Sequence, residues 1–288
     1  MLREASAIGR FVLRHPIGRR RPVRCLFDLL RWQIGASTTP RIVPFVAGAR
    51  LWARRGETGV TGNVYVGLHE FEDMAFVVHF LRPGDLFGDI GANAGSYTVL
   101  AAAVAGARVV AVEPVPETAA RLRANLELNG VADRVAVHGI AITDAPGKVR
   151  FTADADTVNR IAAEDEGGRR LVEVAATTLD ALFADEPPLL LKIDVEGHEA
   201  AVLEGSRGVL ASGRIAALVV EMADRSGAAA RILGDYGYAP VRYDPFARSL
   251  DETLRRVTGG NVIWVRDRLA VAERLRAARP IEVKGLRV

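Results

Sequence analysis

A chain of 288 residues, 49% hydrophobic and 25% charged, has enough apolar surface for a full core, which excludes a disordered class. Cys25 is the lone cysteine, so an intrachain disulfide and a multi-cysteine zinc site are excluded as well. The net charge of +3 is uneven: residues 1–55 hold 12 Arg against Glu4 and Asp28, a local +10 that leaves −7 for the remainder, so a basic arm precedes an acidic body.

Residues 1–34 read as helical pieces broken at Pro16 and Pro22. Ile8, Phe11, Val12, Leu26, Phe27, Leu29 and Leu30 stand among arginines, the pattern of an amphipathic arm that packs on its own protein or lies against an anionic membrane. Arg3, Glu4, Arg10 and Arg14 interrupt every apolar run, so no signal peptide is expected, and no stretch of 18 apolar residues reads as a membrane span. The expected location is cytoplasmic, with peripheral membrane contact through the arm left open. Residues 35–68 are rich in Gly, Thr and Pro, with β-like runs at Ile42 to Val46 and Asn63 to Val66. Residues 1–67 are thus expected to form a basic accessory segment and 68–288 the main domain.

Leu68 to Leu81 carries Phe71, Met74, Ala75, Val78 and Leu81 on one helical face and stops at Pro83-Gly84. The most informative stretch follows. Leu86 to Ile90 is an apolar strand interrupted by Asp89, and Gly91 and Gly95 let the backbone turn tightly and approach a ligand. Ser96 is placed to cap a helix over Tyr97 to Val104, whose N-terminus would face an anionic group such as a methionine carboxylate. The next strand, Val109 to Val112, delivers Glu113, about 20 residues past the turn, where a carboxylate accepts hydrogen bonds from ribose hydroxyls. The turn Gly91-Ala-Asn-Ala-Gly95 is not the G-x-G-x-x-G of a dinucleotide site, and Asp89 would repel a pyrophosphate. S-adenosylmethionine has no phosphate, and its ammonium and sulfonium suit an acid. Expected cofactor contacts are Asp89, Gly91, Asn93, Gly95, Thr98 and Glu113, with Ala141 and Ile142 against adenine.

Pro116 to Gly130 reads as a helix with Ala119, Leu122 and Leu126 inward. Strands are expected at Val135 to Ile142, Val149 to Thr152, Leu189 to Val195, Ala216 to Glu221, Val241 to Tyr243 and Val262 to Val265. Helices fall at about 200–211 and 227–236. The polar stretch Asp154 to Arg170 reads as a loop at the mouth of the site. Alternating strand and helix with near-continuous apolar strands predicts a doubly wound α/β fold, its mostly parallel sheet holding ligands at the carboxyl ends of the strands.

Acids end several of these strands: Asp89, Glu113, Asp194 with Glu196, and Glu221. Asp194, Glu196 and His198 alternate, so an extended backbone would put them on one face with Lys192. These three are the candidate bases for activating an alcohol, a poor nucleophile at neutral pH. A divalent ion held by Asp194 and Glu221 would be another route, but no metal site is assigned.

Asp89-Ile-Gly-Ala-Asn-Ala-Gly-Ser-Tyr-Thr98, Val112-Glu-Pro-Val-Pro116, Asn125-Leu-Glu-Leu-Asn129 and Lys192-Ile-Asp-Val-Glu-Gly-His-Glu199 together resemble the FkbM-type methyltransferases over about residues 60–267. The resemblance implies a class I, Rossmann-like methyltransferase fold, S-adenosylmethionine as cofactor, and O-methylation of sugar-containing or natural-product substrates. It also suggests that Tyr65 to Asp73 folds over the cofactor. Competing readings are a nucleic-acid methyltransferase that uses the arginine-rich arm as its phosphate footprint, a nicotinamide-dependent dehydrogenase, and a catalytically inactive cofactor-binding protein.

Overall fold

The computed structural model describes residues 2–35, 39–54, 57–152, 161, 170–222, 227–251 and 260–288. The arm is helical in three pieces, α1 (Leu2–Arg14), α2 (Pro16–Arg20) and α3 (Pro22–Gly35), broken where proline cannot continue a helix. A hairpin, β1 (Arg41–Pro44) with β2 (Arg50–Ala53), follows. The next segment departs from expectation, because Asn63 to Val66 lies in helix α4 (Thr58–Val66) rather than in a strand. Helix α5 (Phe71–Phe80) leads into β3 (Leu86–Ile90), α6 (Ser96–Val99) with a π-helical turn at Leu100–Val104, β4 (Arg108–Val112) and α7 (Pro116–Leu128).

Beyond α7 the expected long strand is split into β5 (Val135–His138) and β6 (Ala141–Ile142). The two parts belong to different sheets, since β6 joins β7 (Gly147–Thr152) and β8 (Leu171–Thr177) in a three-stranded sheet of its own. Asp154 to Arg170 lies outside the described residues except for Ile161 and Arg170. The chain continues through α8 (Leu179–Leu182), β9 (Leu190–Ile193), α9 (Glu199–Glu204), α10 (Arg207–Ala211), β10 (Ala217–Glu221) and α11 (Ala228–Asp235). It ends in β11 (Ala239–Asp244), β12 (Ser249–Asp251), β13 (Asn261–Val265), α12 (Arg268–Arg276) and the hairpin β14 (Glu282–Val283) with β15 (Leu286–Arg287).

Among the described residues eight strands make the central sheet, in the order β12-β11-β13-β10-β9-β3-β4-β5. From β10 to β5 all neighbours are parallel, while β13 runs antiparallel to both β10 and β11. Strands β3 and β9 are buried along their whole length, as a parallel sheet covered on both faces requires. Register places the site: Ile90 pairs with Val112 and with Ile193, and Ile193 pairs with Val220. The next residues, Gly91, Glu113, Asp194 and Glu221, therefore emerge together at the carboxyl edge, beside the reversal of strand order between β3 and β9.

The arm shares the core of this sheet: Val12, Ile17, Cys25, Leu29 and Trp32 join the cluster containing Phe87, Val109 and Leu190. Two asparagines of the Asn125–Asn129 motif fasten the first hairpin. Asn125 Oδ1 accepts from Trp52 N at 2.7 Å while its Nδ2 donates to Ala94 O at 2.8 Å, and Asn129 Oδ1 accepts from Arg50 N at 2.8 Å. Among the described residues no helix is long and apolar enough to cross a membrane.

Candidate active site

A cavity opens at the carboxyl edge, lined by residues from β3, β4, β9, β10 and the short sheet. Asp89 is wholly buried on its floor, where Oδ2 accepts a 2.6 Å hydrogen bond from Thr98 Oγ1 and Oδ1 has no partner. Burial raises its pKa, although the Lys192 charge opposes the shift. A buried oxygen with a free lone pair is costly unless a donor or cation reaches it. Asp89 thus fits a positively charged ligand group.

The turn after β3 is built by positive-φ residues, Gly91 at +81°, Asn93 at +51° and Gly95 at +90°. A Cβ on Gly91 would meet the backbone of Asp194, and one on Gly95 would stand 2.3 Å from Leu122 Cδ1. Backbone packing therefore requires glycine at Gly91, and the left-handed φ favours it at Gly95, whether or not a ligand lies against the turn. Gly95 and Thr98 stand off the cavity, whereas Asp89, Gly91, Asn93, Glu113, Ala141 and Ile142 line it. Ser96 does not cap α6: its Oγ donates to Gly59 O and accepts from Asn63 Nδ2, joining the helix start to α4.

Glu113 is 7% exposed, and each of its oxygens accepts one backbone N–H, Oε2 from Asn93 and Oε1 from Val115, both at 3.0 Å. Each oxygen keeps capacity for a further donor. Burial pushes its pKa up to about 7 against those two bonds and the nearby Arg121. Beside it Ile140, Ala141, Ile142, Phe151 and Ile161 give the cavity an apolar end suited to a flat aromatic base.

The opposite end is acidic. Lys192, 2% exposed, donates from Nζ to Asp194 Oδ2 at 2.6 Å and lies 4.7 Å from the Tyr97 ring centre. Burial works against its charge, but Asp194, Asp89 and Glu70 outweigh that and hold its pKa above the ordinary lysine value. Asp194 is likewise penalised by burial, yet the Lys192 ammonium and a hydrogen bond with Glu221 keep its pKa low. Glu221 takes the other side of the balance: burial and the Asp194 charge raise its pKa to about 8. The two carboxyls compete for a proton, and the Lys192 ammonium beside Asp194 favours its residence on Glu221.

The strand geometry expected to align Asp194, Glu196 and His198 does not persist. Strand β9 ends at Ile193, Glu196 and Gly197 take φ of +51° and +95°, and His198 becomes the residue preceding α9. The turn nevertheless leaves all three on the cavity wall with Glu221. Oxygens of Asp194, Glu196 and Glu221 lie within 4.8 Å of one another. In the sequence Glu221 is a strand-end acid and a possible metal holder; its proximity to Asp194 and Glu196 is visible only in the fold. His69 and Glu70 of the Tyr65 to Asp73 segment line the cavity, while Tyr65 is buried in the core. Glu70 Oε2 accepts from Tyr97 Oη at 2.9 Å and Oε1 from Asn261 Nδ2 at 2.9 Å. None of Trp32, Phe45, Trp52, Tyr243, Phe246 and Trp264 is on the cavity wall.

The family model described as "Methyltransferase FkbM domain" matches residues 89–242. The 31-O-demethyl-FK506 methyltransferase FkbM of Streptomyces tacrolimicus is 29% identical over 232 residues, covering 66% of this chain and 88% of that protein. A ribosomal protein L11 methyltransferase of Geobacter sp. (strain M21) is 32% identical over 90 residues, 31% of this chain and 29% of its own length. Among solved structures, the methyltransferase FkbM of Methylobacillus flagellatus KT aligns at 18% identity with a TM-score of 0.44, covering 63% of this chain, which spans only 43% of that structure. The family match starts on the buried acid of β3, includes Glu113, Asp194 and Glu221, and takes in more than half of the sequence; the chain belongs to the S-adenosylmethionine-dependent FkbM methyltransferase family.

Proposed function

We propose that the chain transfers the methyl group of S-adenosylmethionine to a hydroxyl oxygen of a sugar-containing or natural-product acceptor. The observation that carries this reading is the Asp194–Glu221 pair, whose carboxylate oxygens lie within 4.8 Å of each other on the same cavity wall as Glu113. The name of the Streptomyces tacrolimicus relative, a 31-O-demethyl-FK506 methyltransferase, favours the same chemistry.

In this reading Glu113 accepts hydrogen bonds from both ribose hydroxyls, and Ala141 and Ile142 cover the adenine. Asp89, with its unpartnered Oδ1, faces the cationic methionine end. When bound, the cofactor supplies an electrophilic methyl carbon for in-line displacement, the carbon–sulfur electron pair staying on sulfur. Positioning the acceptor oxygen is the larger part of the catalysis, and a base adds about 10²-fold to 10⁴-fold. Asp194, kept ionised by Lys192, orients the acceptor hydroxyl, and ionised Glu221 takes its proton, with a pKa matched to the task. Glu196 and His198 border the acceptor side.

A nucleic-acid acceptor fits this cavity poorly, because Glu70, Asp194 and Glu196 would meet a phosphate backbone with like charge. Mass spectrometry of glycans and small metabolites from cells with and without the gene tests the proposal. The expected result is a metabolite or glycan heavier by one methylene only when the gene is present. Methylation appearing in nucleic acid instead would overturn it.

A further inference from the structure

The exposed apolar side chains of the arm form an organised face. On α3, Val23, Phe27, Leu30 and Ile34 follow i, i+4, i+7, i+11 and are 81%, 59%, 59% and 86% exposed. That spacing makes one stripe along the helix. Leu13 of α1 adds a further exposed apolar side chain nearby in sequence. The opposite face of α3, Cys25, Leu29 and Trp32, is already buried in the core, so the outer stripe is not needed for folding.

The charges beside the stripe point to what covers it. Arg24 and Arg31 are exposed about a quarter-turn from it, and Arg19 and Arg20 are exposed just ahead of the helix. Asp28, the helix's only acid, is neutralised by Lys284 at 2.7 Å and Arg24 at 3.4 Å. A second copy docking its α3 antiparallel through a two-fold axis would bring these arginines beside their equivalents. An anionic lipid surface matches both features, burying the apolar stripe at the headgroup boundary while the guanidiniums meet lipid phosphates. We propose that α3 seats the chain on an anionic lipid surface. Phe11 of α1 meets His69, a cavity-lining residue, edge-on at 5.1 Å, so the docked arm adjoins the active-site wall. The inference does not depend on the acceptor or on methyl transfer.

Flotation of the full chain with vesicles tests it, using phosphatidylcholine alone and phosphatidylcholine mixed with phosphatidylglycerol. The chain is expected to float with the anionic vesicles and to be released by added salt. Phe27→Glu with Leu30→Glu, and separately Arg19→Glu with Arg31→Glu, should each lower the bound fraction roughly tenfold or more, with melting temperature and S-adenosylhomocysteine affinity retained. Absence of flotation, equal flotation with neutral vesicles, or flotation unchanged in both variants would overturn the proposal. A concentration-dependent dimer abolished by Phe27→Glu with Leu30→Glu would overturn it in favour of a second copy.

Discussion

A Cβ on Gly91 would stand 1.8 Å from the carbonyl oxygen of Asp194. The turn that begins the proposed cofactor site and the strand end that carries the proposed acidic pair are thus in direct backbone contact, at a residue with φ of +81°. Neither side can yield by rotating a side chain. Gly91→Ala is expected to cost about 1 to 3 kcal/mol of stability and to weaken S-adenosylhomocysteine binding. Thermal unfolding and calorimetry check this, and a variant unchanged in both would show that the contact is not required.

Glu113 gives a pH signature. Its pKa of about 7 in the free protein comes from burial, and ribose hydroxyls that donate to the ionised form would lower it in the complex. Affinity should therefore be full above about pH 7 and decline as pH falls toward the lower value of the bound state, by up to about tenfold per pH unit. Glu113→Ala should weaken binding by about 1 to 3 kcal/mol. Calorimetric titration with S-adenosylhomocysteine across this range reads both effects, and a flat profile in the wild type would remove Glu113 from the ribose.

Glu221→Gln and Asp194→Asn separate the two members of the pair. With Glu221 as base, turnover in the wild type should rise with pH and level off above about 8, where its carboxyl is ionised. Glu221→Gln should abolish that rise and lower turnover about 10²-fold to 10⁴-fold, with cofactor affinity preserved. Asp194→Asn should also lower turnover with cofactor affinity nearly intact. A Glu221→Gln variant that keeps the wild-type pH profile would place the base elsewhere.

The three oxygens of Asp194, Glu196 and Glu221 are close enough to converge on a cation. However, the buried Lys192 ammonium already donates to Asp194 Oδ2 at 2.6 Å, so a fixed cation stands where a metal would compete for that carboxylate. Methyl transfer is therefore expected to be unaffected by a chelator. Lost activity restored by magnesium would contradict this and assign the carboxylates to a metal.

The half-fold from Asp89 to Glu113 was legible because buried parallel strands are continuous apolar runs and an acid at their ends is conspicuous. Helix α4 was not, since Val60, Val64, Tyr65 and Val66 have strand propensity and Gly59 and Gly62 weaken a helix. Its reason is tertiary: a Cβ on Gly62 would stand 2.5 Å from the His69 ring, so glycine lets this helix pack closely. The split of β5 from β6 was hidden for the same kind of reason, as Gly139 and Ile140 redirect the chain between sheets without breaking the apolar pattern. Asp194, Glu196 and His198 reached the cavity wall by a left-handed turn rather than by alternation. The role proposed for Glu221 required the spatial neighbour, Asp194, that sequence order keeps 27 positions away.

Transfer from S-adenosylmethionine carrying a carbon-13 methyl group, catalysed by the purified chain in a metabolite extract, tests hydroxyl methylation most directly. Nuclear magnetic resonance of the isolated product should show the labelled carbon as a methyl ether, bonded to oxygen. A labelled methyl on nitrogen, carbon or sulfur would contradict the account.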